Sequence, residues 1–234
     1  MRISRNATRY IHYILDQFFP PCLRDSRLFM YLLFWVLFGK KAGMFINFKD
    51  NVTHMEREYI RRIYAQTATC HINRKTDLNR ECMERIEQSI SGQSVLDIAC
   101  GRGYLAGRLS KQYQVTAADM TVDAQAIRDF PQVTFHQVEL PDLPFADQEF
   151  DTVVCTHTLE HIPDVRQAVS ELRRVVKDRL IVVLPKQRPY KYTFDLHLHF
   201  FPYSWSVELA MGNSGSRQDC TLVGGDWFFV EDKA

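Results

Sequence analysis

A chain of 234 residues can hold one well-formed core and an appendage. Its 46% hydrophobic content and net charge of +1 are those of an ordinary globular protein; they argue against a disordered chain and against a strongly basic nucleic-acid binder. Six cysteines with no C-x-x-C pair, in a chain read as lacking a cleavable signal peptide, are expected as reduced thiols of a cytoplasmic protein.

Charge is unevenly spread. Residues 1–90 carry 15 Lys/Arg and 9 Asp/Glu, a net of +6, whereas residues 91–234 carry 14 and 19, a net of −5. Within the basic part, residues 7–19 place Ile11, Ile14, Leu15, Phe18 and Phe19 at i, i+3, i+4, i+7 and i+8, the pattern of an amphipathic helix. Pro20 and Pro21 end it. Leu28 to Phe38 is then apolar all round, flanked by Arg24 and Arg27 before it and Lys40 and Lys41 after it. As a helix this run is about 16 Å long, too short for a hydrocarbon core of about 30 Å. Two readings of the hairpin over 7–40 fit: a cap buried against the rest of the protein, or a monotopic anchor whose aromatic residues and basic flanks meet anionic headgroups. Residues 41–90 are polar and mostly helical in pattern, with helices expected over 55–64 and 78–90. A helical N-terminal extension over 1–90 and a second domain over 91–234 are the expected organisation.

From Ser94 onward the pattern changes to short apolar runs alternating with amphipathic stretches. Val95 to Ala99 reads as a buried strand with Asp97 inside it, Gly101-Arg102-Gly103 as a turn, and the residues after it as a helix start. Glycines let a ligand approach the backbone, and a helix start presents N–H groups. Gln114 to Asp119 is a second strand ending in an acid able to accept bonds from two hydroxyls. A helix over 122–130, strands over 133–138, 150–156 and 180–184, a proline-broken loop over 139–147 and a helix over 165–176 follow. Two runs around Val223-Gly224-Gly225-Asp226 suit a hairpin. The fold expected is α/β: a doubly wound, mostly parallel sheet of seven strands behind helices.

The order Asp97-x-Ala99-x-Gly101-x-Gly103, helix, strand ending in Asp119 resembles class I S-adenosylmethionine-dependent methyltransferases, with Ala99 standing where glycine is commoner. Nicotinamide-binding proteins want a third glycine where Ala106 stands. The resemblance covers about 91–234 and implies S-adenosylmethionine as cofactor. Gly101 and Gly103 would face its methionine part, Asp97 its ammonium group, Asp119 the ribose and Met120 the adenine face. Glu139, with Leu140 beside it, would lie at the adenine amino group.

Phe150 to Val165, FDTVVCTHTLEHIPDV, resembles the matching segment of methyltransferases acting on small phenolic and quinone precursors. If a helical turn follows the strand, His157, Glu160 and His161 share one face and can meet the methyl group, a histidine supplying a base. The same set is a candidate divalent-metal site to which Asp195, His197 or His199 would add a ligand, although His157 departs from the Glu-x-x-Glu-His of metal-using relatives. Metal use is therefore not the favoured reading. Residues 186–205, dense in aromatics and histidines, lie where the family inserts a loop over its substrate, so Tyr190, Tyr192 and His199 are candidates for the acceptor pocket.

The expected activity is O-methylation of a lipid-linked or cell-surface glycan precursor at the cytoplasmic face of the membrane, by a peripheral protein touching the surface through residues 7–41. A soluble nucleotide sugar or a quinone or phenol precursor is the alternative acceptor, and a non-catalytic methyltransferase-like binding protein the alternative of another class. Nucleic acid is not expected as a partner, because the basic excess lies on the apolar N-terminal part and no base-flipping Asn-Pro-Pro-Tyr segment appears.

Overall fold

A computed structural model describes residues 10, 13–15, 18–68, 75–193 and 195–233. The chain divides into two compact units, one made of residues 1–74 with 189–198 and the other of 75–188 with 199–234.

The second unit is built on one sheet. Its strands are β1 (Ser94–Ile98), β2 (Gln114–Asp119), β3 (Thr134–Gln137), β4 (Phe150–Thr156), β5 (Val176–Pro185), β6 (Arg217–Val223) and β7 (Asp226–Asp232), in the order β3-β2-β1-β4-β5-β7-β6. The first five are parallel, and β7 pairs antiparallel with both β5 and β6. Strand β5 starts at Val176, before the expected Leu180, because the chain passes from the preceding helix directly into pairing with Phe150.

Apolar runs form these strands because both faces of the sheet are covered. Leu96, Ile98, Val153, Cys155, Leu180, Val182 and Leu184 point to one side, where they pack with Val169, Leu172 and Val207. Val95, Val154, Ile181 and Val183 alternate to the other side and meet Met83, Ile86, Leu105 and Leu109. The helix Val165–Val175 is capped by Asp164, whose side chain accepts from Gln167 N–H, and it buries Val165, Ala168, Val169, Leu172 and Val175 as one stripe. Helix Arg80–Ser89, also of the sheet unit, is capped by Asn79 through Cys82 N–H.

The helical unit holds helix α1 (Arg27–Phe38), helix α2 (Ala42–Asn51) and helix α3 (Arg57–Ala68). Most of the expected helix over 7–19 lies outside the described residues, and residues 13–15 and 18 are helical. The run Arg27–His54 has the length and composition to cross a membrane, but Gly39, at φ +57° and ψ −126°, breaks it into α1 and α2. Only glycine adopts that conformation at little cost, and the break lets Phe38 stack on Phe45 with ring centroids 4.3 Å apart. At 12 and 10 residues, the two helices are about 18 and 15 Å long, each short of a bilayer core of about 30 Å. Met30, Phe34, Phe45, Ile46 and Phe48 form the core of this unit together with Tyr192 and Leu196 of the segment after β5. Lys49 joins the two pieces directly, its Nζ donating to the Tyr190 carbonyl at 2.6 Å, and burial pushes its ammonium down to about 8 against the pull of Asp25.

Candidate functional site

In an open α/β sheet a ligand sits beyond the carboxyl ends of the strands, at the point where the strand order reverses. Here that point is the end of β1, between β2 and β4. The chain leaves β1 through a turn in which Ala99, Gly101 and Gly103 all have positive φ, at 57°, 53° and 68°. The amides of Ala99 and Cys100 donate to the Ala118 carbonyl of β2. Gly101 N–H donates to Asp119 Oδ2 at 2.9 Å, and Asp119 Oδ1 accepts from Thr121 N–H at 3.0 Å. Asp119 thus fixes the turn, with Met120 N–H and the Thr121 hydroxyl also bonding its carboxylate, and it places an acid at the end of β2. Burial raises its pKa, against the N–H and hydroxyl bonds that lower it. Val138 N–H donates to the Asp119 carbonyl, so the end of β3 and the half-buried Glu139 and Leu140 beyond it are tied to the same place. Met120 is half-buried next to Asp119.

The two glycines of the turn serve different ends. A Cβ on Gly101 would meet nothing within 4 Å, so the space above it is open to a ligand. A Cβ on Gly103 would lie 2.9 Å from the Phe135 ring, so Gly103 is needed for packing. Gly107, which the sequence reading passed over, is the third small residue of the motif: a Cβ there would fall 2.2 Å from the ring of Phe130. Its signal was the spacing, one residue beyond the position held by Ala106.

Asp97 is 1% exposed, and its Oδ2 is buried without a hydrogen-bond partner among the described residues. Burial lifts its carboxyl to about 7, with the Ala106 backbone N–H opposing and Asp119 reinforcing. A buried carboxylate oxygen with no donor is costly, and a cationic ligand group would satisfy it. Open space at Gly101, the Asp119 carboxylate at the end of β2 and the Asp97 oxygen without a donor together fit a nucleoside that carries an ammonium group, as S-adenosylmethionine does.

The end of β4 differs from the expected single helical face. His157 stands outside the turn at φ +49°, its N–H donating to the Val183 carbonyl of β5, and only Leu159–His161 form a 3-10 turn. The His157 ring lies between two buried carboxylates, with Nδ1 at 3.6 Å from Glu160 Oε1 and Nε2 at 3.4 Å from Asp226 Oδ2. Burial lowers its pKa, but the two carboxylates outweigh burial and raise it to about 9. The two carboxylates thus favour the protonated ring over the neutral one that a base requires. Asp226 also accepts from Asn79 Nδ2 at 2.8 Å, which links the β6–β7 turn to the cap of helix Arg80–Ser89. Asp226 and Asn79 were missed because they are distant in sequence; the turn GGD and the cap preceding Arg80 were their only signals.

His199 is also occupied: its N–H donates to the Glu160 carbonyl at 3.0 Å, and its Nε2 bonds the Ile162 carbonyl at 2.9 Å. A carbonyl only accepts, so Nε2 carries the proton, and His199 pins the turn. His161 is half-buried at the end of the same turn, its N–H donating to the Thr158 carbonyl. Asp195 and His197, the other metal-ligand candidates, belong with Tyr190 and Tyr192 to the segment that folds with the N-terminal helices.

Comparisons with known proteins agree with this geometry. Residues 96–184 match the family described as methyltransferase domain. The 2-phytyl-1,4-naphtoquinone methyltransferase of Trichormus variabilis is 30% identical over 132 residues, which is 51% of this chain and 58% of that protein. The ubiquinone biosynthesis O-methyltransferase of Alkalilimnicola ehrlichii is 32% identical over 111 residues, 44% of this chain and 43% of the other. The chain thus spans about half the length of these curated relatives. Among solved structures, the 1,6-didemethyltoxoflavin-N1-methyltransferase of Burkholderia thailandensis, determined with 1,6-didemethyltoxoflavin and S-adenosylhomocysteine, is alike in fold. Its TM-score is 0.61 at 18% identity, over 77% of this chain and 91% of that one. Motif, strand order and the match over residues 96–184 agree on a methyltransferase domain of the S-adenosylmethionine-dependent kind in that part of the chain.

Proposed function

We infer that the chain methylates an oxygen of a small aromatic acceptor of the phenol or quinone-precursor class, with S-adenosylmethionine as donor. The observation that carries the donor assignment is the orphaned Asp97 oxygen beneath the open turn at Gly101, tied to Asp119. The acceptor class rests on relatives that act on naphthoquinones and in ubiquinone biosynthesis, and on the resemblance of Phe150 to Val165. A lipid-linked glycan precursor, the acceptor first expected, draws support from the apolar N-terminal helices alone, and a nucleotide sugar from nothing beyond the fold.

Bound S-adenosylmethionine supplies a methyl group on a sulfonium, ready for direct displacement by a nucleophile in line with it. The chain's own residues bind and orient. Asp97 would pair with the ammonium group, Asp119 with the ribose hydroxyls, and Met120, Glu139 and Leu140 would border the adenine. Acceptance of the phenolic proton is assigned to His161, with His199, whose Nε2–H bonds the Ile162 carbonyl and leaves Nδ1 as an acceptor, the other candidate. Glu160, 0% exposed and beside His157, keeps the turn that carries His161 in place.

The test is transfer of labelled methyl from S-adenosylmethionine to a panel of catechols and prenylated phenols, with sugar nucleotides as controls. Label on the phenols that is lost in Asp119→Ala, together with cofactor binding, supports the reading. Label confined to sugars overturns the acceptor class, and intact cofactor binding without label on any acceptor supports the non-catalytic alternative. His161→Asn should lower kcat and leave the KM for the cofactor unchanged.

A further inference from the structure

We propose that the outward face of helix α1 docks on the surface of an anionic lipid bilayer. The helix carries apolar residues on two sides. Met30 and Phe34 are buried in the core of the helical unit. On the other side Leu28, Tyr31, Leu32, Trp35 and Val36 stand in solvent, at 71, 43, 57, 59 and 68% exposure. Their spacing of i, i+3, i+4, i+7 and i+8 makes them one continuous stripe. A helix on the surface of a water-soluble protein has polar residues there, and α1 has none after Arg27. Phe18 and Leu23, just ahead of it, are exposed as well, at 72 and 44%.

Charge decides the occupant. Between Asp25 and Asp50 no acid occurs, while Arg27, Lys40, Lys41 and Lys49 do. Lys40 is exposed at one end of the stripe, and Arg27 is exposed and Arg24 half-exposed at the other. An apolar band carrying Trp and Tyr, with Lys40 at one end and Arg24 and Arg27 outnumbering Asp25 at the other, matches the boundary between acyl chains and anionic headgroups. A second copy of the chain would bring the same cations to the contact, where like charges oppose one another. Because Gly39 folds α2 back from α1 and each helix is too short to span, α1 lies in the interface without crossing it.

This inference stands on α1 and not on the assignment of the catalytic site, although a surface-bound enzyme is well placed to take prenylated phenols from a membrane. The full chain is floated with vesicles of phosphatidylcholine alone and of phosphatidylcholine with phosphatidylglycerol, at low and high salt. Binding to the anionic vesicles should exceed binding to the neutral ones about tenfold, and salt should weaken it. Leu32→Gln with Val36→Gln should lower it by a further factor of about ten, while the melting temperature and cofactor affinity stay those of the parent. The proposal is overturned by a parent chain that binds neither vesicle, by equal binding to both, or by a double variant that binds as the parent does. It is overturned equally if the double variant turns a dimer into a monomer without any vesicle binding. Unchanged cofactor affinity in the variant keeps a failure here separate from a failure of the catalytic reading.

Discussion

Strand β5 and helix α1 read alike as sequence, each a run of large apolar residues with basic neighbours, yet the fold treats them in opposite ways. In β5, Leu180, Ile181, Val182, Val183 and Leu184 alternate between the two faces of the sheet, and none is more than 1% exposed. In α1, Met30 and Phe34 are equally buried, but five other apolar side chains face water. Strand β5 buries its apolar residues on both faces, whereas α1 does so on one side only. An apolar run is thus a statement about burial without a statement about what does the burying.

The largest effect that tests this contrast is a cavity in the sheet unit. Leu172 is fully buried in the layer between helix Val165–Val175 and the sheet. Leu172→Ala should cost about 2–5 kcal/mol, measured by urea denaturation. A cost below about 1 kcal/mol would mean that this layer is as loosely accounted for as the outer face of α1.

A second test concerns charge. His157 has a folded-state pKa of about 9 against 6.5 when unfolded. A raised pKa stabilises the fold fully below the unfolded value, and the contribution is lost as pH rises through the folded one. Stability should therefore fall by about 2–3 kcal/mol between pH 6.5 and 9, and the fall should vanish in His157→Gln. An identical pH profile in the variant would show that Glu160 and Asp226 do not hold the imidazolium.

Asp97 carries a smaller effect of the same kind. With its carboxyl at about 7, the ligand-free protein has a neutral acid below that pH, and a neutral acid does not pair with an ammonium group. Cofactor affinity should drop by up to about tenfold for each pH unit below 7, by calorimetry, and Asp97→Asn should be weak and flat with pH. A flat profile in the parent would remove Asp97 from the ammonium position.

What was legible in the sequence follows the same division. The strands of the sheet were visible because a strand buried on both faces is a short continuous apolar run, and the ends of β2 and β4 could be read off because they stop at the polar residues Asp119 and Thr156. The glycine turn and Asp119 carry their roles in local order. The partners of His157 did not show, since Asp226 lies in the β6–β7 turn and Asn79 precedes the sheet altogether. Folding alone brings those three together, and with them the carboxylates that raise the His157 pKa. The allegiance of Tyr192 and Leu196 was hidden for the same reason. They follow β5 in sequence, but their apolar side chains pack with Phe45 and Ile46 of α2. Removing the N-terminal helices would strip that segment of its core, so a truncated chain is a poor test of what α1 does.

The smallest effect is the most discriminating. Leu32 is 57% exposed, so in the isolated protein Leu32→Ala removes side-chain area that is largely in water already. Its cost should stay within about 0.5 kcal/mol, against several for the same substitution at Leu172. The identical chemical change then separates the two units by a factor that depends only on what covers the side chain. Measured again with anionic vesicles present, the same pair of variants should diverge in the other sense: Leu172→Ala leaves α1 intact and binding unchanged, while Leu32→Ala weakens binding by roughly the transfer of the lost methylenes, severalfold at most. A cost above about 1.5 kcal/mol for Leu32→Ala without lipid would mean that a protein surface already covers this face, and the contrast between strand β5 and helix α1 would collapse.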